Sequence, residues 1–419
     1  MTDREFSRLH NTAPRFFYGY VIVVLAFVIL MVSWGLYAVF GVFFNPLLDE
    51  FHWTRAMTSG AFSLSMLLHG VVGILMGALA DRFGSRVVVT FCGVLLGSGY
   101  LLMSRLSSIW QFYLFYGVLI GIGVSGIWVP LLSCVARWFV RRRSLMTAIV
   151  ASGVGIGGLI APPVISRLIA AYGWRLSYVF QGVIILLVVI LASQFLKRDP
   201  AQKGLLPYGD DEEVPSGLKS GREGYSLKEA AHTIQFWLSC AIFFSYGFLT
   251  FSIMVHIVPY AIELDISAID AANILASIGG LSVLGNFTLG SFGDRIGNKR
   301  IFISGFVMMS IIVFWLALAR EMWMLYMCMA VFGVALGGMA TSESPLMARL
   351  FGLRSHGLIY GMVGFGYTIG SAVGPVVTGH IFDLTGSYQL AFQVCAAFGV
   401  AGCILATTLR PTKRMAYKL

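Results

Sequence analysis

Uncharged stretches of about 18 or more residues recur along almost the whole of the 419-residue chain. Each is long enough to cross a hydrocarbon core of roughly 30 Å as a helix. Their apolar residues are continuous, whereas the strands of a membrane barrel would alternate in polarity. Because hydrophobic residues make up 58% of the chain and charged residues only 11%, a water-soluble domain would expose large apolar patches. We therefore predict an all-α membrane protein.

The apolar stretches divide into twelve predicted transmembrane helices, with bounds that are approximate by a few residues. They lie near residues 17–44, 56–80, 87–104, 109–134, 145–170, 176–196, 233–260, 268–293, 301–319, 323–346, 357–381 and 388–409. Span 1 follows a short basic segment and is too long for the core of a signal peptide, so we expect it to be retained as a membrane helix.

Basic residues fall mainly on one side of the predicted spans. With the N-terminus in the cytoplasm, all but five of the 29 Lys and Arg residues lie on the cytoplasmic side. The five on the outer side are Arg55, Arg105, Arg167, Arg175 and Arg320. The net charge of +10 therefore reports orientation and contact with anionic membrane lipid, and we expect no nucleic-acid partner. We expect the protein in the cell inner (plasma) membrane with both termini cytoplasmic.

One long polar stretch, residues 197–232, interrupts the apolar pattern and contains an acidic run at 210–213. It divides six predicted spans from six, which is the position of a linker between two bundles. We predict an N-terminal six-helix bundle over residues 1–196, a cytoplasmic linker over 197–232 and a C-terminal six-helix bundle over 233–419. We expect the protein to act as a monomer.

The two halves carry the same motif. Residues 77–86, Gly-Ala-Leu-Ala-Asp-Arg-Phe-Gly-Ser-Arg, follow span 2, and residues 290–299, Gly-Ser-Phe-Gly-Asp-Arg-Ile-Gly-Asn-Lys, follow span 8, an offset of 213 positions. Span 5 recurs in span 11 with the same offset, so that Gly153, Gly157 and Pro162 correspond to Gly366, Gly370 and Pro375. An internal repeat of this kind predicts two pseudo-symmetric six-helix bundles.

The Gly-x-x-x-Asp-Arg-x-Gly-x-Arg/Lys loop after the second helix of each half resembles the hallmark of the major facilitator superfamily. The resemblance covers nearly the whole chain and implies a central cavity, lined by spans 1, 4, 7 and 10, that opens alternately to each side. It also implies that the loop charges latch the cytoplasmic gate, with topological anchoring by positive charge as the alternative. The predicted gate residues are Asp81, Arg82, Arg86, Asp294, Arg295 and Lys299.

Further segments resemble the monocarboxylate transporter and oxalate-formate antiporter branch of that superfamily. Residues 141–153 keep the branch's basic pair and small-residue pattern at the start of span 5, and residues 18–20 keep the Gly and aromatic character of its opening motif without its Asp. Residues 172–175 and 256–260 are similar to those of its bacterial members. The resemblance implies a small organic acid of the monocarboxylate type as substrate, moved together with a proton.

The sequence departs from that branch where its members bind the carboxylate. Alignment through Gly290 places Asn286 at the position of the family's span 8 arginine and Ser282 at that of its aspartate. Ala38 stands where some members have a span 1 lysine. Because a carboxylate in a low-dielectric cavity needs compensation, it must rely here on neutral donors or on a protonated histidine.

Polar aromatic and amide side chains within the spans are the candidates for the cavity wall. The predicted substrate-binding residues are Tyr37, Tyr116, Trp128, His256, Tyr260, Asn273, Asn286, Tyr360 and Tyr367. For each aromatic residue the alternative is packing between helices, and for Asn286 it is an interhelical hydrogen bond.

Two residues are candidates for carrying the proton. His256 lies about one turn below the outer end of span 7, and an imidazole titrates in the physiological range. Glu343, near the cytoplasmic end of span 10, is the second candidate, although its shallow depth favours a role as a partner of the gate arginines. His69, in the middle of span 2, is interpreted as a satisfied packing residue.

Other functions find less support in the sequence. Residues 153–158 match the Gly-x-Gly-x-x-Gly dinucleotide fingerprint but lie inside an apolar helix. There is no Gly-x4-Gly-Lys-Ser/Thr loop, and the seven His and six Cys residues show no metal-ligand spacing, so we expect neither a cofactor nor enzymatic activity. A multidrug exporter of the same superfamily, a solute sensor and an intramembrane enzyme remain as alternatives to a secondary transporter of a small organic acid.

Overall fold

The computed structural model describes residues 17–139, 142–208, 224–352 and 354–410. In these ranges it contains twelve long helical segments, numbered here by span. They are α1 (Gly19–Ala38 continued by Phe40–Phe51), α2 (Arg55–Phe83), α3 (Ser85–Met103), α4 (Ile109–Phe112, Tyr113–Ile120, Gly121–Ser125 and Trp128–Trp138), α5 and α6 (the parts of Arg143–Gln194 before and after Gly173), α7 (Ile234–Glu263), α8 (Ala268–Ile296), α9 (Asn298–Leu316), α10 (Met322–Phe351), α11 (His356–Thr385) and α12 (Tyr388–Thr408).

Ten helices of the described chain are long and apolar enough to cross a membrane. The 50-residue candidate Leu145–Gln194 contains both α5 and α6, because the backbone leaves helical geometry at Gly173. The 30-residue helix α11 lies outside these ten, since its many glycines lower its hydropathy. The prediction of an all-α protein with twelve membrane helices is confirmed.

The helices run past several predicted span ends. Helix α1 resumes after Val39 and continues to Phe51, and α11 continues to Thr385. Helical hydrogen bonding does not stop where the hydrocarbon ends, so it persists until a residue of different geometry terminates it. Gly386 does this for α11 with a φ of +66°, a conformation that glycine adopts without strain.

The sequence repeat has a counterpart in the backbone. Gly84 ends α2 with a φ of +88° and Gly297 ends α8 with a φ of +92°. Gly173 between α5 and α6 and Gly386 between α11 and α12 also have positive φ values. Within each pair the two glycines lie 213 positions apart, so the same turns occur at the same places in both bundles.

Small residues bring α5 against α1, and α11 against α7, at equivalent positions. A Cβ on Gly157 would clash with the backbone carbonyl of Met31, and one on Gly370 would clash with that of Phe244. Both pairs of residues are related by the 213-residue offset. Helices in lipid gain their association from such close packing, since no hydrophobic effect drives them together there.

The two bundles also cross one another through small residues. Gly155 of α5 packs on Val283 of α8, and Gly70 of α2 packs on Thr368 of α11. The 213-residue offset relates Gly155 to Thr368 and Gly70 to Val283, so the two contacts are equivalent and the glycine lies in the N-terminal bundle in both. The bundles therefore meet along two pseudo-symmetric helix crossings, α5 with α8 and α2 with α11.

The described ends of the linker are tied to α4 and α10. The backbone N–H of Tyr208 donates to the carbonyl of Trp138 at 2.9 Å, and that of Tyr225 donates to the carbonyl of Phe351 at 2.8 Å. Trp138 and Phe351 are also 213 positions apart. The acidic run at 210–213 lies outside the described residues. Below, the end of the molecule that carries these contacts is called the linker end, and the opposite end, with the α1–α2 and α7–α8 connections, the outer end.

We predict that Gly370→Val lowers the melting temperature of the purified protein. The added methyl groups must displace the α7 backbone, and overpacking of this kind costs about 1–3 kcal/mol or more. The control is Gly361→Val in the same helix, where an added Cβ meets nothing within 4 Å. Equal melting temperatures for the two variants would contradict close packing at Gly370.

Candidate functional site

An aromatic cluster occupies the middle of the N-terminal bundle. The Trp34 ring of α1 lies edge-on to the His69 ring of α2, with centroids 5.3 Å apart and an interplanar angle of 88°. The centroid of Trp128 on α4 is 6.2 Å from that of Trp34, and the centroid of Tyr37 is 5.7 Å from it. Trp34, His69 and Trp128 are partly exposed, whereas Tyr37 is buried.

Tyr37 and Tyr116 close the cluster toward the outer end. Both are buried, their rings stack with centroids 6.3 Å apart, and the Tyr37 hydroxyl lies 3.0 Å from Ser65 Oγ. The Tyr116 ring packs on Phe40, 4.8 Å between centroids. In this conformation the predicted substrate-binding residues Tyr37 and Tyr116 are part of the bundle core, whereas Trp128 is partly exposed.

The C-terminal bundle presents a carboxyl group near the linker end. The Tyr360 hydroxyl of α11 donates to Glu343 Oε2 of α10 at 2.6 Å. One turn away along α11, the His356 Nε2 atom lies 3.0 Å from Ser344 Oγ, and the rings of His356 and Tyr360 are parallel. Glu343 forms no ion pair within the described residues. The gate arginines are therefore not its partners among the side chains described.

Tyr367 and Asn286 lie deeper in the same bundle. The ring centroid of Tyr367 is 5.2 Å from that of Tyr246, and Tyr367 is partly exposed. Asn286 is also partly exposed, and its amide makes no hydrogen bond to another described side chain. Ser282, one turn earlier, donates to the carbonyl of Gly279 at 2.8 Å. The position where the related branch has an arginine thus carries a neutral, partly exposed amide.

Tyr260 and Asn273 lie away from this region. The Tyr260 hydroxyl donates to the carbonyls of Leu316 and Ala319, at 3.0 and 2.8 Å, and caps the end of α9. Asn273 lies beside Tyr326 of α10 in the outer half. In this conformation both make interhelical contacts, which for Tyr260 is the packing alternative considered above.

His256 is fully buried at the boundary between the bundles. Its Nε2 lies 2.9 Å from the carbonyl of Pro375 and 3.3 Å from Ser59 Oγ of the opposite bundle. Because a carbonyl only accepts, the proton is assigned to Nε2, and Nδ1 accepts from the Tyr388 hydroxyl at 3.0 Å. The Phe44 ring of α1 covers the imidazole, 5.2 Å between centroids. The structure therefore places His256 in the closed outer contact and apart from the Trp34 cluster.

Arg55, at the start of α2, holds the outer ends of the bundles together. Its guanidinium forms an ion pair with Glu263 of α7 and donates to the Tyr388 hydroxyl at 2.9 Å. Its backbone N–H donates to Asp383 of α11 at 2.9 Å, and the Phe382 ring lies 3.9 Å from the guanidinium carbon. Arg55, Tyr388 and His256 form one continuous chain of hydrogen bonds.

Sequence reasoning missed this network. Arg55 was counted only among the cations that fix orientation, and Glu263 and Asp383 were not singled out. The available signal was a set of opposite charges at the outer ends of spans from different halves, but the sequence does not specify which span ends are neighbours. Among the described residues, the side-chain hydrogen bonds found between the bundles all lie in this outer half.

The loops at the linker end carry the predicted gate residues. Arg86 donates from Nε and Nη2 to Gln194 Oε1, at 3.1 and 2.6 Å, and Lys299 donates to the carbonyls of Thr407 and Leu409, at 2.8 and 2.6 Å. Each cation thus binds the end of the last helix of its own bundle, at positions 213 residues apart.

Of the remaining predicted gate residues, Arg82 has a side chain that the structure describes. Arg82 is exposed and lies over the Phe83 ring, 5.3 Å from its centroid. The side chains of Asp81, Asp294 and Arg295 lie outside the described part of the structure. The charge latch proposed for these loops therefore stays a prediction.

A match to a family model agrees with this architecture. The family model described as Major Facilitator Superfamily matches residues 24–285 and 238–418. The chain therefore belongs to the major facilitator superfamily and is a multi-pass membrane transporter of a small-molecule substrate.

Monocarboxylate transporters and an oxalate:formate antiporter are among its relatives. Human monocarboxylate transporter 7 is 24% identical, over 97% of this chain and 89% of that protein. The oxalate:formate antiporter of Oxalobacter formigenes is 25% identical, over 96% of this chain and 94% of that protein. A crystal structure of a bacterial homolog of the human lysosomal transporter Spinster, inward-facing and occupied, has the same fold, with a TM-score of 0.74, 17% identity and coverage of 94% and 97%.

We predict that Arg55→Gln opens the outer contact. The change removes the ion pair to Glu263 and the donor to Tyr388, so the closed state loses roughly 1–3 kcal/mol relative to the open state, about tenfold or more in population. A cysteine introduced by Ser59→Cys, buried beneath this contact, should then react faster with a membrane-impermeant maleimide.

The matched control for this labelling experiment is Arg105→Gln in the same Ser59→Cys background, since Arg105 is exposed at the outer end. An unchanged labelling rate in Arg55→Gln, or an equal increase in the control, would show that Arg55 does not hold the bundles closed.

Proposed function

We propose that this protein is a secondary active transporter that moves a small organic acid of the monocarboxylate type together with a proton, by alternating access. The single observation that carries this proposal is the pairing of Glu343 with Tyr360, a carboxyl group that forms no ion pair with any side chain that the structure describes. The two relatives named for monocarboxylates and for oxalate and formate support the substrate class.

The closed outer contact supports a resting state that opens toward the cytoplasm. Arg55 and His256 join the bundles at the outer end, and the hydrogen bonds found between described residues of the two bundles are confined to that half. Orientation follows from the cytoplasmic excess of Lys and Arg, with both termini in the cytoplasm and the protein in the inner membrane. We propose that one chain suffices, since two bundles enclose the whole path.

Glu343 is our candidate for the proton site that faces the cytoplasm. An ionised carboxylate with one hydroxyl partner and no cation among the described side chains is unfavourable when the site is poorly hydrated, whereas a protonated carboxyl satisfies the same geometry. Closure of the linker end would therefore favour the protonated form, and hydration in the state open to the cytoplasm would favour release of the proton. Glu343 would thus alternate between the two forms once per cycle.

His256 is our candidate for the proton site that faces outside. It is enclosed by Ser59 of α2 and Phe44 of α1 from the opposite bundle and by α11 and α12 of its own bundle, so parting of the outer ends removes the first two contacts and opens the imidazole to water. A hydrated imidazole would then be able to take up a proton. Substrate and proton would then enter from the same side.

The transported substrate can be defined by counterflow in proteoliposomes. We expect exchange of small monocarboxylates such as formate, lactate and pyruvate, and faster net uptake when the outside is acidic. Neutral metabolites and lipophilic cations serve as the comparison panel. Transport of lipophilic cations alone would contradict the proposal and favour an exporter of the same superfamily.

We predict that Glu343→Gln separates proton coupling from substrate movement. The amide keeps the hydrogen bond to Tyr360 but cannot release a proton, so uptake driven by a pH gradient should fall to the level seen without a gradient while counterflow continues. Glu321→Gln is the control, because Glu321 is exposed at the outer end. Gradient-driven uptake that survives in Glu343→Gln would exclude Glu343 as the coupling site.

A further inference from the structure

Two polar nitrogens in the Trp34 cluster are buried and have no hydrogen-bond partner among the residues that the structure describes. They are Nε1 of Trp34 and Nδ1 of His69, which belong to rings whose centroids are 5.3 Å apart. The interpretation of His69 as a satisfied packing residue is therefore wrong. Indole and imidazole side chains in a dry interior nearly always find a partner, because an unmatched buried donor costs about 1–3 kcal/mol. Two such atoms on neighbouring rings leave room for a partner that the described side chains do not supply.

The position of the cluster in the bilayer supports this interpretation. Trp34 and His69 lie near the middle of α1 and α2, at the depth where transporters of this kind bind their substrates. Helix α1 is interrupted at Val39, and α4 at Gly126 and Ile127, just before Trp128. Interrupted helices at the midplane are typical of binding sites, because irregular backbone is tolerated there only where it lines a cavity.

We propose that Trp34 Nε1 and His69 Nδ1 bind the carboxylate of the substrate, with the Trp128 ring as the apolar wall beside it. This assignment rests on the proposed function and specifies its anion site. An indole N–H and an imidazole N–H, in the tautomer protonated at Nδ1, both donate, and hydrogen bonds to an ionised acceptor are the strong ones. The pair replaces the cations that the related branch carries in spans 1 and 8, where this chain has Ala38 and Asn286.

The site is covered in the present conformation. Both nitrogens are shielded from solvent, while the rings of Trp34, His69 and Trp128 remain partly exposed. A carboxylate therefore reaches the nitrogens by displacing a neighbouring ring.

Binding to purified, lipid-reconstituted protein tests the assignment. The probes are formate, oxalate, lactate and pyruvate, each paired with its uncharged amide, measured by calorimetry and by ligand-induced rise in melting temperature. Trp34→Phe keeps the ring and removes the donor, and His69→Leu removes the imidazole. Each should weaken binding of the best acid roughly tenfold or more and alter binding of its amide much less. His69→Gln, which keeps an N–H donor, should retain more affinity for the acid than His69→Leu.

The controls are Trp110→Phe at the exposed start of α4 and His380→Leu at the exposed surface of α11, which should bind every probe as the wild type does. Wild-type affinity for acids in both Trp34→Phe and His69→Leu, or an equal loss for acid and amide, would overturn the assignment and leave the proposed function intact. If Trp34→Phe does not fold, the comparison of His69→Gln with His69→Leu decides by the same criterion. Wild-type protein that binds none of the acids would overturn both.

Discussion

In the hydrocarbon core every backbone N–H and C=O must find its partner within the protein, and this requirement determines the rest of the structure. It explains why the described chain is helical almost throughout and why its helices meet through glycine. Gly157 and Gly370 let α5 and α11 approach the backbones of α1 and α7. Departures from helical geometry, at Val39 and Gly126, are tolerated only inside the bundle, where they border the aromatic cluster.

A second constraint applies to the placement of charged side chains, because an unpaired charge has a high free-energy cost away from water. The strong ionic contact between the bundles, Arg55 with Glu263, lies at the outer end, where water is close. Between the ends the bundles present hydroxyl, amide, indole and imidazole groups, with Glu343 as the one carboxyl group singled out there. A transporter built in this way can hold a small anion by neutral donors and release it when the site is hydrated.

The sequence predicted the kinds of residues at the site better than their roles. Trp128, Asn286, Tyr360 and Tyr367 were selected from residue type and depth, and the structure leaves each of them partly exposed. Tyr37 was selected by the same reasoning and is buried in the core, because depth along a helix does not specify the direction in which a side chain points. His256 and His69 differ for the same reason, one with all its partners and the other with an unmatched nitrogen.

The sequence by itself determined the membrane class, the twelve spans and the internal repeat, because each depends on local hydropathy or on the spacing of residues along one chain. The tertiary structure alone decided that Arg55 meets Glu263 and Asp383, and that Trp34 meets His69 and Trp128. These contacts join helices that are far apart in sequence, so they depend on how the helices rotate and cross. Hydropathy is the same for every rotation of a helix that is apolar on all sides, and only packing against its neighbours selects one.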